Sequence, residues 1–245
     1  MSHSSLKTLL ITGAGKRLGK LLAEHYLQAG YRVVAHFNSV NELPEHPNLI
    51  ALQANLSDSA AVARLCDELV QYGPYSGVIH NASCFVADGV AAQNNTDFQD
   101  HFQQHFSVHV YAPMIITEAL NNHWAEPAWM TVISDIYSDI PNERFAVYCA
   151  SKAALQNWAL SMAQRLSPQV RTNIIQPGPI QFLPEHSEAY REMVLSQSLI
   201  KQELGYGAIV DACDYLATSK AVCGNVMRVD GGRFVANRYD QTFNS

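Results

Sequence analysis

The chain has 245 residues, 48% of them hydrophobic and 16% charged, which fits one large α/β unit and leaves no room for two ordinary domains plus a linker. Sixteen basic against 22 acidic residues leave a formal charge of −6, so the basic excess of a nucleic-acid binder is missing. No run of about 18 apolar residues is present to span a bilayer, and the start, Met1 to Lys7, lacks a signal-peptide core. Five cysteines (Cys66, Cys84, Cys149, Cys213, Cys223) share no metal-ligand spacing. Reduced thiols, no metal, no membrane and a cytoplasmic location are therefore expected.

In chain order, short β-rich runs alternate with stretches of helical period. Thr8 to Ile11 reads as a strand, and Leu18, Leu21, Leu22, His25 and Tyr26 then recur at helical steps. Tyr31 to Phe37 and Leu49 to Leu52 are strands. A helix from Ser57 to Tyr72 follows, capped by Ser57 or Asp58. Val78 to His80 is a strand, and Thr96 to Leu120 is a helix that Pro113 should kink or restart. Met130 to Ser134 is a strand, Ala146 to Leu166 a helix and Val170 to Gln176 a strand. Helices at Ser187 to Ser198 and Ala208 to Ala217, then a strand at Val226 to Val229, close the series. Loops are expected at Asn38 to Pro47 and Pro177 to Glu185, and mobile ends at residues 1–6 and 237–245. Repeated strand–helix–strand order predicts a single Rossmann-type, doubly wound parallel sheet with helices on both faces.

Thr12-Gly13-Ala14-Gly15-Lys16-Arg17-Leu18-Gly19 lies between the first strand and the first helix. Gly13 suits a backbone angle closed to other residues, Gly15 a close approach of main chain to ligand, and Gly19 tight helix packing. The helix N-terminus offers unpaired N–H groups to a pyrophosphate, beside the charges of Lys16 and Arg17. The second strand ends His36-Phe37-Asn38-Ser39, with no carboxylate before Glu42. A carboxylate there would hold a ribose 2′-hydroxyl and repel a 2′-phosphate, so NADP(H) is the expected cofactor. His36, Asn38 and Ser39 are its candidate contacts, with a solvated loop as the alternative.

Tyr148-Cys149-Ala150-Ser151-Lys152 puts a phenol and an amine on one helix face. An unperturbed phenol titrates near 10, and a neighbouring ammonium is expected to lower that value. The pair suits a reduction in which hydride comes from a cofactor and a proton from Tyr148.

With these motifs, and with Asn81-Ala82, Pro177-Gly178 and Val229-Asp230-Gly231-Gly232, the chain resembles the short-chain dehydrogenase/reductase family over nearly its whole length. The resemblance implies that Asn81 steadies the sheet centre and lines the cofactor cleft with Ala82. It implies that Lys152 binds the nicotinamide ribose as well as tuning Tyr148. Asn55 replaces an aspartate usual after the third strand, leaving part of the adenine contact to the Leu56 main chain. Pro177, Gly178 and the Ile180 backbone would meet the carboxamide. His109 stands where most members keep an asparagine that holds a relay water.

Arg17 stands in place of a usual glycine, and Asp135 in place of a usual serine thirteen residues before Tyr148. With Ser83 and Phe85 these look like pteridine reductases, and more narrowly like bacterial dihydromonapterin reductases. That similarity implies an arginine reaching phosphates and pterin, Asp135 joining Tyr148 and Lys152 in proton supply, Phe85 stacked on the pterin, and Ser83 touching pterin or cofactor. Each has a plainer alternative: surface pairing for Arg17, loop capping for Asp135, packing for Phe85. The expected activity is NADPH-dependent reduction of a dihydropterin, 7,8-dihydromonapterin to its tetrahydro form, with weak action on dihydrofolate. A carbonyl or 3-oxoacyl reductase and a non-catalytic NADP(H)-sensing module are the alternatives. The family resemblance, with small residues Ala150, Ala153 and Ala154 on the Tyr148 helix, also implies a homotetramer.

Overall fold

The computed structural model describes residues 6–89 and 98–236. Seven strands form one sheet: β1 (Thr8–Thr12), β2 (Arg32–Phe37), β3 (Leu49–Gln53), β4 (Tyr75–His80), β5 (Trp124–Ile133), β6 (Val170–Pro177) and β7 (Val226–Val229). Their order is β3-β2-β1-β4-β5-β6-β7 and every pairing is parallel. A parallel sheet covered on both faces buries both sides of each strand, which is why Leu9, Leu10 and Ile11 follow one another in β1 and all five of its residues are buried.

Alternate residues feed two cores. Leu10, Val34, Val78, Met130 and Ile174 pack under α2 (Ser59–Leu69), α4 (Ala112–Ala119) and α5 (Ala146–Leu166). Leu9, Ile11, Val33, Ile79 and Ile175 pack under α1 (Arg17–Gln28) and α7 (Gly207–Thr218). The strand order reverses between β1 and β4, and the crevice beyond their carboxyl ends is where such sheets bind ligands.

Most expected elements form, with instructive departures. Asp58, not Ser57, caps α2, accepting from Ala60 N–H at 2.9 Å. β5 begins at Trp124 rather than Met130. Its register against β4 jumps from Tyr75–Trp124 to Gly77–Trp129, which takes up the extra residues around Pro127. The helix expected to kink or restart at Pro113 does restart there, after an irregular turn. α3 (Phe98–Phe106) runs into a π turn at Ser107–Tyr111, and Pro113 falls in the first turn of α4, where a missing N–H leaves no helical bond unmade. A 3₁₀ turn at Ile136–Ser138 and the short helices α6 (Glu188–Ser196) and α8 (Arg233–Ala236) complete the frame. The expected helix start at Thr96 and both chain ends fall outside the described residues. Among the described residues, no helix is long and apolar enough to cross a membrane.

Candidate active site

The chain leaves β1 through Gly13, at φ +67°, where a Cβ would sit 2.6 Å from Ala82 Cα. A Cβ on Gly19 would strike the Gly13 carbonyl oxygen and come within 2.8 Å of Asn81 Nδ2. At Gly15 the pressure comes from the protein itself. A Cβ there would strike the Val40 carbonyl oxygen, and the Gly15 carbonyl accepts from Glu42 N–H at 2.8 Å. The glycine expected to admit a ligand is thus first required by the loop after β2. Arg17, at φ +52°, is the one non-glycine at positive φ among the described residues. An L side chain in that conformation costs roughly 1–2 kcal/mol, so a cation is kept where glycine would fit freely. No side chain caps the start of α1 at Lys16, which leaves its first turn able to receive an anion.

Around this turn lies a cleft of about 650 Å³, within the range of small-molecule and cofactor sites. Gly13, Gly15, Lys16, Arg17, Leu18, His36, Asn38, Ser39, Asn55, Leu56, Asn81, Ala82 and Ser83 all line it, and none of the lining residues is acidic. His36 is only 1% exposed. Its Nδ1 accepts from Gly13 N–H at 3.1 Å, and its Nε2 bonds the Ala54 carbonyl at 3.0 Å. Burial holds the ring neutral, so it braces the turn with both nitrogens committed. Asn55 accepts from Ser57 N–H at 3.0 Å. Asn81 ties β4 to β1 by donating to the Thr12 and Gly13 carbonyls at 3.1 and 3.0 Å.

Beyond the cleft, α5 presents Tyr148. Its hydroxyl donates to Asp135 Oδ2 at 2.8 Å, while Asp135 Oδ1 accepts from Tyr137 N–H at 2.9 Å. One carboxyl therefore both caps the 3₁₀ turn and holds the phenol. Burial raises the Asp135 pKa above the ordinary carboxylate value. Lys152, 2% exposed, lies 5.7 Å from the Tyr148 ring centroid and donates to the Ile133 carbonyl at 3.1 Å. Burial pulls its pKa down to about 8. The expectation that Lys152 lowers the phenol's pKa is corrected here: burial and the Asp135 carboxyl push Tyr148 well above 10, so the group is a firmly protonated donor. His109, which stands in place of the relay asparagine, is satisfied within the protein. Its Nε2 faces Ser83 Oγ at 2.9 Å and Cys84 N–H at 3.2 Å, and its Nδ1 faces Ser151 Oγ at 2.8 Å, which leaves neither nitrogen for a relay water.

Tyr148, Asp135 and Phe85 line a second cavity of about 230 Å³, which Gly178 also borders. Cys84 and Phe85, consecutive in the chain, line one cavity each. Phe85 is 55% exposed, stacked on Phe145 at 4.3 Å and edge-on to Tyr148 at 4.7 Å, so it is a pocket wall and not core packing. Arg17 and Ser83 line the larger cleft rather than this pocket, but the Ser83 side chain reaches toward the Tyr148 hydroxyl and so borders both. Pro177 and Ile180 line neither; the Ile180 side chain is buried in the second core and its carbonyl accepts from Gly205 N–H at 2.7 Å. Sequence reasoning missed Tyr137, Tyr190, Val194 and Arg233 in the smaller pocket and Tyr206 in the cleft. Only the expected helix at Ser187 to Ser198 hinted at two of them.

A doubly wound sheet with a basic glycine turn at its switch point, and a Tyr–Lys pair beside it, defines a dinucleotide-dependent oxidoreductase. The family model described as short chain dehydrogenase matches residues 7–193, and the chain belongs to that family. It is 33% identical over 242 residues to the dihydromonapterin reductase of Klebsiella pneumoniae, covering 95% of this chain and 99% of that one. Against the protein of the same name from Escherichia coli it is 32% identical over 237 residues, covering 92% and 95%. FolM alternative dihydrofolate reductase 1 from Brucella canis, solved complexed with NADP, shares the fold at TM-score 0.81 and 24% identity, over 98% of this chain and 97% of that one.

Proposed function

We propose that the chain is an NADPH-dependent reductase of dihydropterins, taking 7,8-dihydromonapterin to its tetrahydro form and dihydrofolate more weakly. The observation that carries this reading is the Tyr148–Asp135 hydrogen bond at the wall of a small pocket edged by the open ring of Phe85. A planar fused heterocycle gains from offset or edge contact with such a ring. The names of the relatives support the same substrate class.

The residues of the cleft fit an NADP(H) molecule: an uncapped helix start, two adjacent cations and an absence of carboxylates in the lining. Gly13, Gly15 and the first turn of α1 would hold the pyrophosphate. Lys16, Arg17, Asn38 and Ser39 would meet the 2′-phosphate end. When bound, that cofactor supplies hydride to the carbon of a C=N bond. Tyr148 donates its hydroxyl proton to the ring nitrogen, because a protonated phenol within hydrogen-bond reach lowers the barrier as negative charge develops there. Asp135, 2.8 Å from the Tyr148 oxygen, is placed to pass back to it a replacement proton taken up from solvent. Lys152 stabilises the transient phenolate from beneath the ring.

The test follows NADPH and NADH oxidation by the purified chain with dihydromonapterin, dihydrobiopterin, dihydrofolate and an acetoacetyl thioester. Preferred turnover of dihydromonapterin with NADPH is expected. Preference for the thioester would replace the pterin reading with a carbonyl reductase, and cofactor binding without turnover would replace it with a sensing module.

A further inference from the structure

His109 lies on the π turn after α3, 1% exposed, against two serines and a backbone amide. The amide fixes everything else. Cys84 N–H points at Nε2 from 3.2 Å, and an amide can only donate, so Nε2 must carry a lone pair. An imidazolium, or the tautomer with its hydrogen on Nε2, would set two N–H groups against each other. The ring's single hydrogen is therefore on Nδ1 and is donated to Ser151 Oγ at 2.8 Å. The Ser151 hydroxyl passes its own hydrogen to the Tyr148 carbonyl at 2.7 Å. One direction then remains for the contact between Ser83 Oγ and Nε2 at 2.9 Å: Ser83 donates.

We propose that His109 is a positioning residue that makes the Ser83 hydroxyl a hydrogen-bond acceptor toward the cleft, so that the substrate atom docking there must be a donor. Ser83 is exposed in the cleft with only oxygen lone pairs to offer. A ring N–H or amino group satisfies it. A ketone or thioester carbonyl, which can only accept, meets two acceptors face to face and leaves both desolvated and unpaired. The inference deepens the pterin reading, on which the naming of an amino-substituted ring rests; the tautomer does not depend on it.

Two measurements test it. Two-bond ¹H–¹⁵N correlation spectra of the histidine-labelled chain at pH 7 should contain one ring with a protonated Nδ1 and a bare Nε2 that vanishes in His109→Gln. An Nε2–H ring or an imidazolium at His109 overturns the proposal without any substrate present. In kinetics with NADPH and dihydromonapterin, His109→Leu should raise KM about five- to tenfold, the value of one neutral hydrogen bond. His109→Gln, whose amide oxygen can replace Nε2 under the Cys84 N–H, should keep KM within about twofold. In a Ser83→Ala background His109→Leu should add nothing. An equal rise in that background, or no rescue by glutamine, overturns the proposal. If His109→Leu does not fold, the spectrum and the glutamine variant still decide. Absence of pterin turnover with the expected tautomer would reject the substrate reading and leave the hydroxyl's polarity standing.

Discussion

Tyr148 illustrates how a shared hydrogen bond changes what a residue can do. Beside Lys152 alone it would be read as a phenol drawn toward ionisation, but the Asp135 carboxyl 2.8 Å away accepts its hydrogen and keeps it protonated. Tyr148→Phe removes that proton without altering the ring, so kcat should fall by about 10²-fold or more while the circular dichroism spectrum stays unchanged. Retained full activity would discard the acid assignment. Arg17 poses the opposite trade. Its φ of +52° disfavours any L side chain, yet its guanidinium is exposed at the cofactor cleft. Arg17→Gly should stabilise the fold by about 1 kcal/mol, a Tm gain of roughly 2–4 °C at this chain length, as the strained angle relaxes. The same variant should weaken NADPH binding about tenfold or more through loss of a charge-assisted contact. Calorimetry and a cofactor titration read the two effects separately, and a variant unchanged in both would mean that the side chain serves neither.

At the scale of elements, the turn from β1 to α1 is held from three sides: by Ala82 under Gly13, by Val40 against Gly15 and by Gly13 itself under Gly19. Gly19→Ala drives a methyl into the Gly13 carbonyl oxygen and crowds the Asn81 amide. It should cost about 1–3 kcal/mol in a urea melt and weaken cofactor binding in parallel, since α1 must back away from the turn. An unchanged midpoint would show that the helix docks more loosely than these distances indicate. Elements of this kind were legible in the sequence because their physics is local. Strands buried on both faces read as apolar runs, and α5 and β7 end where their periods end. The first residues of β5 were not, because Ala125 to Pro127 carry no apolar run and join the sheet only through a shifted register with β4. Nor was the π turn, since an extra residue in a helical turn leaves the hydrophobic period on either side intact. The glycine turn and the Tyr148–Lys152 pair stood out as spaced motifs within one stretch. Phe85, Asp135, Tyr190 and Arg233 converge on one pocket from four separate segments, and no spacing along the chain encodes such a meeting.

Over the whole molecule the electrostatic design turns on neutral histidines. The chain has ten, and His36, His80 and His109 are each 3% exposed or less. Burial lowers all three, and the fully buried His105 as well, below the ordinary value of 6.5, His80 to about 3 and His109 with help from the nearby Lys152 charge. Their pairings explain why protonation is resisted. His36 must keep a lone pair for Gly13 N–H, His109 one for Cys84 N–H, and His80 is packed against Thr117 and Trp158. The unfolded chain imposes no such demand, so below about pH 6.5 it binds protons that the native state refuses. The sign is then fixed: the stability these histidines contribute is complete above about pH 7 and is lost as pH falls through 6.5 toward 3. Each can contribute up to about 1.4 kcal/mol per pH unit, roughly 4 for the three together. Asp135 acts with the opposite sign, since the stability it contributes is gained as pH falls from its raised pKa toward 3.8, but it is one group against four. Urea midpoints should therefore drop steeply between pH 7 and pH 5, and the drop should shrink in His80→Gln by about one proton's slope. A flat profile across that range would mean that these rings can accept protons in place, and with that the bracing of the glycine turn by His36 would have to be abandoned.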